Sequence, residues 1–389
     1  MEEIIFIEGR LLSWKEDLPE AKERLKAWWD HELLDRPCIQ YYHPRADVKR
    51  WGLWDNWYLA KKPDAIEGAL KDFEKNGQTI FWGAECTPHY VVNYGPGILA
   101  SVFGCEGHWE NRAQTVWFDC PTPVDEIIAL LERTRLDDNN PWYTRIKRVT
   151  EYAAQQAAGV PYQVTITDLG GVLDILASFL TPKGLILAMR RHPDIVDTCR
   201  AIILEKWLQL FDELEAIIGQ HLDGFGTWLR IWCPKTWYPI QCDFSATLSP
   251  SWFERFALPD IITQAEHMKY AIYHLDGPNE IPYVDMLLQV SSLSGIQCVP
   301  GIQGTYRDPK WVEVYKKIQA AGKNLVLDVP PADLSFFYEE FDPKGLLINS
   351  IFNSKSQAET YLPEFIGGRG GKDEAGKKLT TSPGQFRVL

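Results

Sequence analysis

The chain has 389 residues, 45% of them hydrophobic and 24% charged, with a net charge of −13. That length buries a large core, either as one big barrel or as two domains. The acidic balance excludes nucleic acid and an anionic membrane surface as main partners, and no apolar run approaches the ~20 residues that span a bilayer. Eight cysteines lie scattered with no Cys-x-x-Cys pair, and the first residues carry no basic region followed by a long apolar run. The expected location is therefore a reducing cytoplasm.

Leu18, Ala21, Leu25, Trp28 and Trp29 recur at three- and four-residue spacing, which predicts a helix over 13–33. Arg36-Pro37 ends it and a strand follows at 38–42. A helix near 64–76 leads to a second strand at 79–82. Residues 83–120 read as an excursion from a regular pattern, with Gly95-Pro96-Gly97, a short helix over 97–103 and a strand at 115–118, large enough to cover one end of a barrel. Helices at 123–133 and 141–158 precede the alternating, β-branched stretch 162–168, which stops at Gly170-Gly171. Three helices follow, at 172–180, 183–191 and 193–219; the last has one apolar stripe from Val196 to Ile217. A strand is expected at 225–230, then a Trp/Tyr/Pro-rich loop and a return at 241–245.

Strands at 270–276, 295–299, 324–329 and 346–351 then alternate with helices near 281–290, 309–321, 333–340 and 354–362. Counting those at 38–42, 79–82, 162–168 and 225–230, there are eight strands with helical connections. This is the pattern of a (β/α)8 TIM barrel with an extended insertion after the second strand. Residues 1–365 form the single domain in this reading, and 366–389 a Gly- and Lys-rich flexible tail.

The stretch Tyr270-Ala271-Ile272-Tyr273-His274-Leu275-Asp276-Gly277 carries the chemistry. On a strand His274 and Asp276, two apart, share one face, and they share it where a parallel barrel keeps its active site. The alternative is a His bonded into the barrel interior beside an Asp that caps the next helix.

The segment from Cys242-Asp243-Phe244-Ser245 through Leu248-Ser249-Pro250-Ser251-Trp252-Phe253-Glu254-Arg255-Phe256, followed by His274-Leu275-Asp276-Gly277, resembles the uroporphyrinogen decarboxylase superfamily, in particular its methyltransferase-like branch. Gly83-Ala84-Glu85 with Gly95-Pro96-Gly97, Leu169-Gly170-Gly171-Val172-Leu173-Asp174 and His192-Pro193-Asp194 extend the likeness, diffusely, over about 35–363. The resemblance implies a barrel with its site at the C-terminal strand ends. It also implies one of two chemistries: cofactor-free decarboxylation, or zinc-dependent methyl transfer involving a corrinoid or thiol.

In those methyltransferases a His-x-Cys pair and a later Cys hold zinc. Here Asp276 replaces the first Cys, and Asn349, Ser350 and Asn353 stand where the second is expected. A site of His274, Asp276 and Cys242 is a harder ligand set; Cys298 is a second thiol within the expected region, and Glu85 an added oxygen. For either cysteine the other reading is a small buried residue in a strand. The decarboxylases' basic run is reduced here to Arg36 and Arg45, so porphyrinogen decarboxylation is not expected, while Arg45 is a candidate for a substrate carboxylate.

Without the resemblance, Glu85, Asp168, Asp243, Asp276 and Asp328 end strands. With Trp82, Trp228, Trp232, Trp237 and Tyr238 as stacking surfaces they suit glycoside hydrolysis, although Asp168 and Asp328 also suit turns and caps. A barrel that binds without catalysis is the third class.

The expectation is a methyltransferase moving a methyl group from a small methylated substrate to a corrinoid protein or thiol. Its alternatives are a decarboxylase, a carbohydrate-active hydrolase and a binding barrel. His274, Asp276 and Cys242 hold zinc, Glu85 and Asp243 position, and Arg45, Trp82, His89, Trp228 and Tyr273 bind substrate. The expected partners are a small molecule, a corrinoid carrier protein and a second copy in a homodimer, with no nucleic acid or membrane.

Overall fold

A computed structural model describes residues 14–45, 53–301 and 304–363. The strands are β1 (Cys38–Pro44), β2 (Ile80–Ala84), β3 (His89–Tyr90), β4 (Gly107–Glu110), β5 (Thr115–Phe118), β6 (Gln163–Val164), β7 (Trp237–Ile240), β8 (Tyr270–Asp276), β9 (Gly295–Val299), β10 (Asn324–Asp328) and β11 (Leu346–Ile351). Seven make one sheet in the order β2-β1-β11-β10-β9-β8-β7. All its pairings are parallel except β1 with β2. The fold is therefore mixed α/β with a mostly parallel central sheet.

The late, tight rhythm of the sequence is present: β8 to β11 alternate with helices at Val284–Leu288, Pro309–Ala320, Leu334–Glu340 and Lys355–Tyr361. Their residues are buried for most of their length on both faces, and their interiors are correspondingly rich in Ile, Leu and Val, as parallel sheets require. Tail residues 366–389 lie outside the described residues. Among the described residues no single helix is long and apolar enough to cross a membrane.

Several elements differ from expectation. The strand expected at 162–168 contracts to β6, Gln163–Val164, because the chain after it pairs only through the single Thr165–Gly226 bridge. β2 runs antiparallel to β1, with Gln40 opposite Ala84 and Pro44 opposite Ile80; its short, isolated apolar run fixes a strand but carries no sign of direction. The expected strand 225–230 shrinks to two bridges, Thr165 with Gly226 and Phe225 with Cys233. The chain then turns, Arg230 N–H donating to Thr227 O at 2.8 Å, with Arg230 at φ 58°. The strand comes later instead, as β7 inside the aromatic loop. Pro239 concealed it, yet β7 is the edge of the hydrogen-bonded sheet, where a missing N–H is tolerated. In the excursion, β4 and β5 pair as an antiparallel hairpin, Gly107 opposite Phe118.

Two glycines set close approaches. A Cβ on Gly170, at φ 81°, would lie 2.5 Å from the Cα of Gly97. That contact presses the Gly95–Gly97 loop onto the turn after β6, where Ile98 N–H donates to Asp168 O at 3.0 Å. A Cβ on Gly226 would lie 2.4 Å from His89 Nε2.

Candidate metal centre

The C-terminal ends of the parallel strands lie along one edge, and the register brings polar residues into line there. His274 stands opposite Gln297, and Asp328 and Gln40 each stand opposite Asn349. A hydrogen-bonded relay runs through them. Asn349 Nδ2 donates to Asp328 Oδ1 at 3.0 Å, Gln297 Nε2 to Asp328 Oδ2 at 3.1 Å, and Gln297 Oε1 meets His274 Nδ1 at 2.6 Å. The carboxylate only accepts, so the amide nitrogen of Gln297 faces Asp328 and its oxygen faces the imidazole. Nδ1 of His274 must then carry the proton, which leaves the Nε2 lone pair free. A second partner that fixes the tautomer is a recurrent feature around ligating histidines.

Ligand atoms of Asp243, His274 and Asp276 lie within 4.8 Å of one another. His274 is half-buried and the two aspartates are exposed. Solvent reaches the Asp243 side chain although neighbouring protein surrounds it. Desolvation there, then the charges of Asp276 and Asp168, push its pKa up to about 7, with solvent access screening part of the effect. Asp168 is pushed up to about 6, again first by burial. Trp228 stacks edge-on against His274, ring centroids 4.9 Å apart.

Two carboxyls that sequence reasoning missed hold the backbone on which the cluster sits. Asp174, in the first turn of helix Val172–Leu180, accepts from Asp243 N–H at 3.1 Å and Phe244 N–H at 2.6 Å. Glu280, fully buried, accepts from Asp276 N–H at 3.2 Å and Ser245 Oγ at 3.0 Å. Burial drives Asp174 up to about 7 and Glu280 up to about 9. Asp174 sits in the Leu169–Asp174 motif, so its signal was visible; Glu280 reads as an ordinary helix-start acid.

The remaining expected site residues fall elsewhere. Asp243, expected as a positioning group, takes the place expected for Cys242, whose thiol is buried, driven upward in pKa by desolvation and absent from the cluster. Cys298 is buried as well, next to Gln297 and on the opposite strand face. Glu85 is fully buried: Arg36 grips it with Nη1 at 2.7 Å and Nη2 at 2.8 Å, and Ile39 N–H donates to it at 2.9 Å. Its oxygens are occupied, so it acts as a structural ion pair rather than a ligand.

Arg45 donates to the carbonyls of Ile80 at 3.1 Å and Trp14 at 3.3 Å, holding β1 to β2. Trp82 is core, its Nε1 donating to Gly77 O. His89 is fully buried, Nδ1 donating to Thr87 O at 2.8 Å and Nε2 without a partner. Tyr273 alternates with His274 and so faces away from it, its hydroxyl 3.5 Å from Glu280. Trp232 and Trp237 join Trp28 and Trp29 in a separate buried cluster, and Tyr238 is buried, accepting from Leu169 N–H. Of the five rings expected to stack on sugars, Trp228 alone lies against the cluster.

Comparison with models of known protein families and with curated protein sequences finds no match to this chain.

Proposed function

We propose that the chain is a zinc-dependent methyltransferase of the uroporphyrinogen decarboxylase type, with Asp243, His274 and Asp276 as the metal ligands. In this reading the central sheet closes into a (β/α)8 barrel through the β3–β6 pair and the Thr165–Gly226 bridge. The observation that carries the reading is the convergence of one imidazole and two carboxylates at the C-terminal strand ends with no cation among the described residues to neutralise them. The donors fit a borderline ion such as zinc, which accepts imidazole and carboxylate. They do not fit a thiolate-rich centre, since Cys242 stays buried outside the cluster. Bound there, zinc would act as a Lewis acid on the heteroatom of a small methylated substrate or on the accepting thiol.

The protein's own residues do the rest. Gln297, held by Asp328 and Asn349, fixes the His274 tautomer. Asp174 and Glu280 fix the two aspartate backbones, and Trp228 shields one side of the imidazole from water. The methyl acceptor is a corrinoid carrier protein or a free thiol, presented at the open end of the strands. Chain purified without added metal should hold about one zinc per chain, the stoichiometry of a single three-ligand site. His274→Ala should remove zinc and methyl transfer together. Methyl transfer that persists in chelator, on protein free of metal, would sink the reading.

One observation favours a second reading, metal-free decarboxylation. Asp243 and Asp168, raised to about 7 and about 6, are carboxyls that can be protonated near neutrality. Such groups can deliver a proton to a carbanion. A metal-free protein that releases carbon dioxide and loses activity in Asp243→Asn would select it.

A further inference from the structure

The turn Thr227–Arg230 holds a cation that makes no ion pair among the described residues. Arg230 adopts φ 58°, a left-handed conformation that non-glycine residues rarely adopt. Two contacts force it there: its N–H donates to Thr227 O at 2.8 Å, and its carbonyl accepts from Gln40 Nε2 at 3.1 Å. The guanidinium lies over the Trp54 ring, 5.2 Å from its centroid, and its charge acts on the Tyr42 hydroxyl. Among the described residues it makes no ion pair, and its Nε is buried without a partner. Its charge acts on Asp328, but both oxygens of that carboxylate already accept from Gln297 and Asn349.

Two residues earlier on the same turn, Trp228 presents a second buried donor, Nε1, also without a partner. Its ring is the one packed against His274. The turn thus runs from the candidate metal centre to a guanidinium without an ion pair among the described residues, with two unpartnered donors along it. Half-buried charges and buried donors are costly unless a partner meets them.

We infer that Arg230, with Trp228 Nε1, receives the carboxylate of a small substrate whose reacting end lies at Asp243, His274 and Asp276. One planar guanidinium matches one carboxylate through two parallel hydrogen bonds. A dianion such as phosphate is disfavoured by the four aspartates at the same strand ends. A short carbon chain between the two ends would meet the Trp54 and Trp228 rings. This assignment rests on the reading of the strand ends as the active site, and it supplies a specificity residue where Arg36 and Arg45 are otherwise engaged.

The test is calorimetric titration of the full chain, first stripped with chelator, with sodium propionate and with its neutral isostere propionamide. Stripping keeps propionate from binding through a metal. Propionate should bind at least tenfold more tightly than propionamide, the factor a charge-assisted pair is worth. Arg230→Gln should erase that difference while leaving propionamide unchanged, Arg230→Lys should keep part of it, and Trp228→Phe should weaken propionate a few-fold. The comparison of two ligands on the unmutated chain holds even if a variant misfolds. Equal affinity for both ligands, no measurable propionate binding, or the same propionate affinity in folded Arg230→Gln overturns the inference. Propionate binding that appears only after zinc is restored, indifferent to Arg230, overturns it and leaves the metal centre standing. Chelator-stripped binding lost in Arg230→Gln, in a protein that never takes up zinc, does the reverse.

Discussion

Glu85 and the pair Asp243/Asp276 present the same appearance in the sequence: acidic side chains just past an apolar strand. In the fold they are opposites. Glu85 is fully buried and receives two nitrogens of Arg36 and a backbone N–H, so its charge is fully answered within the protein. Asp243 and Asp276 face solvent beside His274 and each other, with no cation among the described residues to answer them. A carboxylate that the fold has satisfied holds the fold together; one left unsatisfied near its own kind is available to a ligand.

That contrast is breakable by mutation. The largest effect expected is on the unsatisfied side: His274→Ala or Asp276→Asn should abolish zinc retention, read by elemental analysis, while the melting temperature of the apo protein hardly moves. Loss of fold instead would make the cluster structural. Next, Glu85→Ala leaves Arg36 buried and alone, which should cost roughly 3–5 kcal/mol in denaturant unfolding, with zinc content per folded chain unchanged. An unchanged stability there would place Glu85 outside the structural class.

A smaller effect tests the relay. Gln297→Ala should weaken zinc binding by roughly 10–100-fold in competition with a chelator dye, the loss typical of an outer-shell partner. Asp328→Asn should do so less, since it is one bond further away.

The smallest effect separates His89 from the site. Burial holds its pKa down to about 3, well below its ordinary 6.5. The folded state thus resists the proton that the unfolded chain accepts. Stability attributable to His89 is complete above pH 6.5 and is lost as pH falls toward 3, by roughly 2 kcal/mol at pH 5. His89→Gln should flatten that part of the stability profile without altering zinc content. An unaltered slope would return His89 to a solvent-accessible role.

Much of the fold was legible because period and punctuation are local. The helix of apolar stripe Val196–Ile217 lies within Pro193–Gly219, and β8 to β11 fall within a residue or so of expectation. β7 was concealed because Pro239 and its neighbouring rings look like a loop, and only its place at the sheet edge makes that proline harmless. The antiparallel sense of β2 was beyond reach, since no side chain states which way a strand runs. At the site, His274 and Asp276 were found by their spacing of two, and strand geometry placed them on one face. Asp243 rather than its neighbour Cys242 joins the cluster: where a strand gives way to a tight turn, alternation no longer tells which neighbour faces the mouth.

The sequence by itself determined the helices, most strands and the pairing of an imidazole with a carboxylate, because each depends on residues within a turn or two of one another. Only the tertiary structure decided which charges were answered. Arg36 meets Glu85 across 49 positions and Gln297 meets His274 across 23. Electrostatic satisfaction is a matter of distance in space, and the chain's local order does not encode it.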